Sequence, residues 1–348
     1  MILRGFIRRL FTRNTFASNV AKLASGNTIG QLSIVLVSPL LTRFFTPEIF
    51  GSFQFILSSA AILAVISTLR YEMALPLSNT RIQARNLFKL SVTLLLTVTI
   101  AIVLLLTFIP DLSIIHDNLT ELGPLVYLIA PVMLGEGMIS IFNQWFIREE
   151  RYAISGGSRS IFGISTALSQ LIIGITRMTT LLGLTAGYLI GQIFSFIFFL
   201  RNFLVANSKG EPGESEPIIT TAKKFRSFPL FSSWNTLLNT IGRNLPIILI
   251  GAHFLNEQLG FFAIALRALG FPMTTLGMSI GQVYYRQIAK FINLGFPILP
   301  FLVGTAAKVL LIMILPMLIL YLWGEELFGV VFGQNWAAAG RIVQILAP

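Results

Sequence analysis

The chain has 348 residues, of which 55% are hydrophobic and 11% charged, about half the charged share of an ordinary soluble domain. That composition excludes a soluble globular protein and indicates a polytopic membrane protein. The net charge of +11 does not indicate nucleic acid, because the basic residues stand between apolar runs; with no cysteine there is no disulfide framework, thiol catalyst or Cys-held metal.

In chain order, residues 1–18 form a basic interfacial segment, with Arg4, Arg8, Arg9 and Arg13 set among Phe6, Ile7, Leu10 and Phe11. The next apolar run is too long for a signal-peptide core and has no small-residue cleavage site, so it is the first permanent span. Spans are predicted at 19–44, 50–77, 87–109, 122–147, 158–177, 181–201, 230–253, 258–285 and 297–323, with a tenth beginning near 337. Residues 206–228, rich in Ser, Gly, Glu and Pro, read as a flexible linker between a first six-helix lobe (19–205) and a second lobe (229–348).

Charge sets the orientation. The N-terminal segment and the loops holding Arg81, Arg85 and Lys89, then Arg148, Arg151 and Arg159, then Lys223, Lys224 and Arg226, then Arg286 and Lys290, are basic. The alternate loops carry Asp111, Asp117, Glu121, Glu257, Glu325 and Glu326, with only Arg43 and Arg177 basic on that side. This pattern places the N-terminus in the cytoplasm of a multi-pass protein.

The chain also repeats itself. Asn27-Thr28-Ile29-Gly30 returns as Asn239-Thr240-Ile241-Gly242, and Phe45-x-x-Glu48-x-Phe50-Gly51-x-Phe53 as Phe254-x-x-Glu257-x-Leu259-Gly260-x-Phe262. Six spans precede the linker, so both lobes enter the membrane in the same direction, and a substrate path is expected between them. The stretch Gly123 to Pro131 recurs as Gly340 to Pro348, so the second lobe stops where its fourth helix begins. About 75 residues, or about three spans, are expected beyond that point in a full second lobe.

A charge inside a span is costly and needs a reason. Arg243 follows the second Asn-Thr-Ile-Gly directly; it either lines a hydrated cavity or bonds neighbouring carbonyls. Arg267 and Lys308 are similarly deep and either line the cavity or snorkel. Arg70 and Glu72, near the cytoplasmic end of span two, read as an ion pair or as interfacial snorkelling. Glu136, between Gly135 and Gly137, either binds a coupling cation or proton or bonds a neighbouring helix. Asn27 and Asn239 read as interhelical hydrogen-bond formers, and Gly26, Gly30, Gly277 and Gly281 as close-packing positions. Pro39, Pro131, Pro246 and Pro272 are expected to kink helices. No nucleotide-binding loop, Ser-His-acid arrangement or metal-spaced histidine occurs, His116 and His253 standing alone. Neither catalysis nor a cofactor is expected, and the short outer loops argue against a glycan polymerase or ligase.

The first span, the Phe45-Thr46-Pro47-Glu48-Ile49-Phe50-Gly51 turn, Leu69-Arg70-Tyr71-Glu72, Asn143-Gln144-Trp145-Phe146-Ile147-Arg148 and Phe332-Gly333-Gln334-Asn335-Trp336 occur in an order that resembles the polysaccharide (O-antigen, Wzx-type) flippases of the multidrug/oligosaccharidyl-lipid/polysaccharide exporter superfamily. The resemblance implies an all-α fold of two pseudo-symmetric, parallel, MATE-like helical lobes, of which this chain departs by ending early. It implies movement of an undecaprenyl-diphosphate-linked glycan to the outer leaflet of the bacterial cytoplasmic (inner) membrane, in O-antigen or lipopolysaccharide synthesis. A polysaccharide polymerase and a chain-length regulator are the implied protein partners. A cationic cavity of Arg243, Arg267, Lys308 and Arg70 would suit a diphosphate, with Glu136, Glu72, Asn27 and Asn239 as a polar or ion-coupling network. A drug/cation antiporter of the same superfamily, a lipid-linked peptidoglycan-precursor flippase and an inactive truncated member are the alternatives.

Overall fold

Long runs of Leu, Ile, Val, Ala and Phe leave the backbone no water to bond, so each run satisfies its own amides as a helix. The computed structural model describes residues 16–108, 123–207, 217–254, 256–270 and 299–347, and every regular element among them is helical. The order is α1 (Phe16–Leu41), α2 (Pro47–Ser67), α3 (Arg81–Phe108), α4 (Ile129–Arg148), α5 (Tyr152–Ile175), α6 (Leu181–Asn207), α7 (Ile218–Lys224), α8 (Ser233–His253), α9 (256–270), α10 (Leu299–Phe332) and α11 (Ala337–Leu346). Among the described residues six stretches are long and apolar enough to cross a bilayer: Leu23–Leu41, Pro47–Ser67, Arg81–Phe108, Gly123–Arg148, Tyr152–Ile175 and Leu181–Ala206. The protein is therefore an all-α polytopic membrane protein.

Capping chemistry moves several helix ends from where hydropathy puts them. The α3 helix starts at Arg81 rather than 87 because Thr80 Oγ1 accepts the Gln83 amide at 3.2 Å, and Thr180 does the same for Gly183 at the head of α6. The α2 helix begins with Pro47 in its first turn and stops at Ser67, not 77. Leu69 and Arg70 then turn left-handed (φ 48° and 58°), and Tyr71–Leu77 forms a 3₁₀ turn. Arg70 and Glu72 thus lie past the helix rather than inside it. Pro131 stands in the first turn of α4, where it removes no helical bond. The predicted end of span nine falls on Trp323, which breaks the helical backbone of α10 (φ −123°, ψ 22°). Pro272, Gly277, Gly281, Arg286, Lys290, His116 and the 271–285 part of span eight lie outside the described residues.

Packing arranges these helices around α2. Half of the α2 span is buried, against 11% of α3, whose Leu96, Ile100, Leu104 and Phe108 stay exposed as a lipid-facing stripe. The α1 helix lies against α5 with backbones nearly touching: a Cβ on Gly26 or Gly30 would run into the Gly156 or Arg159 carbonyl. Ser160 Oγ donates to the Gly26 carbonyl across this seam at 3.1 Å.

The α2 and α9 helices cross at a reciprocal contact. The Asn256 carbonyl fills the space a Cβ on Gly51 would need, and the Pro47 carbonyl fills the space a Cβ on Gly260 would need. Gly51 and Gly260 are equivalent positions of the repeat, as are Pro47 and Asn256, so each copy offers the other the same pair. Trp336 locks the α10–α11 corner onto this junction: its indole donates to the Thr42 carbonyl at 2.9 Å and packs edge-on against Phe50.

The second half of the expected linker is not free chain. Its α7 helix docks on the first bundle, where Tyr71 OH donates to the Ala222 carbonyl at 3.3 Å and Asn86 Nδ2 to Thr221 Oγ1 at 3.2 Å. Phe225 is buried in the same aromatic core as Phe142, Trp145, Phe146 and Phe199. The face that docks consists of Thr221, Ala222 and Phe225, too short a run to give an apolar period.

Candidate functional site

The α4 helix joins two cores. Val132 and Met133 belong to one, shared with α2 and α9, and Ile141 to Phe146 belong to the other. Between them α4 presents Glu136, Ile139, Ser140, Asn143 and Gln144, a single stripe at helical spacing. The α6 helix presents Tyr188, Gln192, Ser195 and Phe199, again one stripe, and α5 adds Arg159 and Phe162. With Arg70 and Met73 from the turn after α2 they line a partly open cavity of about 360 Å³, at which Arg159 is exposed. Its walls carry amides, hydroxyls and aromatic rings, with a carboxyl towards the middle of α4 and two guanidinium groups at the end where the basic loops lie.

Each polar group is held from behind. Tyr188 OH donates to Glu136 Oε1 at 3.1 Å, and the Tyr188 ring is clamped edge-on by Phe53 and Phe162. Gln192 Nε2 donates to the Val132 carbonyl at 3.0 Å, and its amide crosses directly over Gly135, where any side chain would displace it. Ser158 and Ser195 share a hydrogen bond of 2.6 Å between α5 and α6. Gln192 Oε1 and Asn143 Oδ1 are buried with no hydrogen-bond partner among the described residues, which leaves acceptors for a bound hydroxyl or amine.

The two cations differ. Arg70 pairs with Glu72 at 3.2 Å; burial lifts the Glu72 carboxyl above the usual carboxylate range, while the Arg70 guanidinium pulls it down. Arg159 has no carboxylate partner among the described residues; its Nη1 donates to Asn27 Oδ1 at 3.3 Å across the α1–α5 seam. Asn27 thus bonds across from α1 to α5.

The remaining predicted residues are elsewhere. Arg267, on α9, lies between the bundles, with Nη1 at 3.4 Å from Ser38 Oγ and its guanidinium 5.9 Å from the centre of the Phe50 ring. The Phe50 ring beneath it and the Phe53 ring that clamps Tyr188 both belong to α2. Arg243 and Asn239 are exposed on α8, outside the cavity lining. The side chain of Lys308 lies outside the described residues. The structure thus groups Arg70 with Arg159 and Glu136 and does not group it with Arg243.

Arg159, Tyr188 and Gln192 were not predicted. By sequence Arg159 groups with Arg148 and Arg151 as a basic loop at the edge of span five, whereas α5 starts at Tyr152 and carries it two turns inward. The signal available was the small-residue run Ser155-Gly156-Gly157-Ser158 before it, which needs a close helix neighbour. Tyr188 and Gln192 are uncharged, but each follows a glycine (Gly187, Gly191) at a spacing of four, a mark of one tightly packed face.

The sequence pattern of the family described as "Polysaccharide biosynthesis protein" matches residues 16–291. Among curated proteins, the teichuronic acid biosynthesis protein TuaB of Bacillus subtilis (strain 168) is 30% identical over 132 residues, a stretch covering 36% of this chain and 26% of TuaB. The chain thus matches about a quarter of that relative's length. No solved structure matches the chain.

Proposed function

Since this chain belongs to the polysaccharide biosynthesis protein family, we propose that it moves a polyprenyl-diphosphate-linked oligosaccharide from the cytoplasmic to the outer leaflet by alternating access. The observation that carries this reading is the cavity between the α4, α5 and α6 stripes, where Arg159 stands free of any carboxylate among the described residues and amides and aromatic rings line the rest. A diphosphate and a string of hydroxyls cannot cross hydrocarbon unaided, whereas a polyprenyl tail can stay in lipid. Arg159 and Arg70 hold the diphosphate by charge-assisted bonds, Gln144, Asn143 and Gln192 meet sugar hydroxyls, and Phe162 and Tyr188 give a stacking wall. Arg267, at the α2–α9 junction, serves the same anion on the second lobe's side of the path. The bundles rock about the α2–α9 junction, and the basic end faces the cytoplasm.

The test is a reconstituted vesicle assay that follows a fluorescent polyprenyl-diphosphate glycan between leaflets. Arg70→Gln with Arg159→Gln is expected to reduce flipping by about a hundredfold, as two charge-assisted bonds of ~1.5 kcal/mol each imply. Unchanged flipping by the double variant sinks the cationic-cavity reading.

A second reading, cation antiport, draws on one observation: the Glu136 carboxyl bonded by Tyr188 inside the cavity. On that reading Glu136→Gln abolishes cation-driven efflux and leaves glycan flipping untouched; on the first, no cation-driven efflux is found in either form.

A further inference from the structure

A second cavity, of about 340 Å³, opens at the foot of α8 and is lined by Ser227, Phe228, Phe231, Ser232 and Asn235. We propose that it binds the headgroup of an anionic phospholipid of the surrounding bilayer. This site is independent of the transport path proposed above.

Its shape follows from the chain. The segment Phe228–Ser232 is a wide π turn whose Pro229 donates no amide. Ser233 Oγ bonds back to the Phe228 carbonyl at 3.3 Å, so the wide turn is fixed by its own chain. The turn packs on Tyr71–Leu77, and α7 packs on α3, which places the cavity at the helix ends where Arg81, Arg85 and Arg148 also lie. It is therefore a site at a bilayer surface and not at its centre.

Its chemistry fits an anion joined to hydrocarbon. Two serine hydroxyls and an asparagine amide line the pocket as donors. Just before it stand Lys223, Lys224 and Arg226, all exposed, and no Asp or Glu occurs from Pro217 to Asn256. Lys224 Nζ lies 5.7 Å from the Phe225 ring centre, so that cation is held at the docked face of α7. Phe231 of the lining and its chain neighbours Leu230 and Trp234 are all more than half exposed, as is Ile219 on α7. A soluble phosphate has no use for these apolar side chains, whereas an acyl chain below a phosphate headgroup covers them. The α7 helix is docked by Asn86 and Tyr71, so the cations arrive already positioned and little ordering is needed on binding.

The experiment is native mass spectrometry of the full purified chain in detergent supplemented with equal phosphatidylglycerol and phosphatidylcholine. The unmodified chain is expected to retain phosphatidylglycerol preferentially. Neutralising the cluster (K223Q, K224Q and R226Q together) is expected to reduce that preference about a hundredfold, at roughly fivefold per cation. The charge-keeping set K223R, K224R and R226K retains it. A second neutralised set of the same charge, K89Q with R151Q and R201Q, separates a site from diffuse attraction, and it is expected to keep the preference. Ser232→Trp, which fills the cavity with all charges intact, is expected to lose it. Equal retention of the two lipids by the unmodified chain overturns the proposal. So does an equal loss in the second set, full retention in Ser232→Trp, or displacement of phosphatidylglycerol by inorganic phosphate at matched concentration.

Discussion

Two helices of this molecule carry the same four residues, and they meet opposite fates. In α1, Asn27-Thr28-Ile29-Gly30 is pressed against α5: Gly30 abuts the Arg159 carbonyl, and Asn27 accepts a bond from the Arg159 side chain. In α8, Asn239-Thr240-Ile241-Gly242 meets no such partner among the described residues: Asn239 is exposed, and none of their atoms lies within 4 Å of where a Cβ on Gly242 would point. The motif is therefore not an interface in itself. It is half of one, and the other half is a helix with its own small residues, here Gly156, Ser160 and Gly163 on α5.

The largest expected effect breaks the first copy. Gly30→Val drives a branched side chain into backbone and is expected to destabilise the protein by ~3 kcal/mol or more, because neither helix can retreat without opening the seam. Gly242→Val is expected to stay within ~0.5 kcal/mol, as an exposed substitution does. Reversible unfolding of the purified chain in mixed micelles measures both, and equal losses in the two variants end the comparison.

A smaller effect concerns the cations beside each copy. Arg159→Gln is expected to lower flipping about tenfold, since its charge lines the cavity, and Arg243→Gln less than about threefold, since it stands outside the lining. If Arg243→Gln proves the more harmful, the second copy rather than the first faces the working path. Smallest is the pair of asparagines. Asn27→Ala is expected to cost ~0.6–1 kcal/mol, the usual range for a hydrogen bond between membrane helices, and Asn239→Ala close to nothing. A loss of flipping in Asn27→Ala that exceeds its loss of stability would sharpen the contrast, because it would show that Asn27 aims Arg159.

Much of the fold was legible because hydropathy over ~20 residues is a strong signal. The repeat and the small-residue contacts were legible too, since Gly26 and Gly30 leave few other uses. What escaped were features set by short polar contacts. Thr80 capping Gln83 and the left-handed Leu69-Arg70 pair move helix ends without any proline or glycine to announce them. The candidate site was half legible: Arg70 and Glu136 stood out as charges in apolar sequence, whereas Tyr188 and Gln192 matter through where α6 lies against α4. Arg159 was hidden by its own neighbourhood, for a cation near Arg148 and Arg151 reads as part of a basic loop. Arg267 was legible as deep, but its contact with Ser38, 229 residues away, is not a property of local sequence.

The junction between Pro47, Gly51, Asn256 and Gly260 has a consequence for how such a chain can change over generations. In a symmetric pair of identical units, one codon would supply both sides of each contact, and any substitution would be tested twice at once. Within a single duplicated chain the two sides are inherited separately. Proline now stands opposite asparagine at one pair of equivalent positions, while glycine stands on both sides at the other. The first pair meets the opposing glycine through its backbone, so the contact itself is made by atoms that every residue carries. The second pair has no room for any side chain, and neither copy can leave glycine before the other helix has moved away.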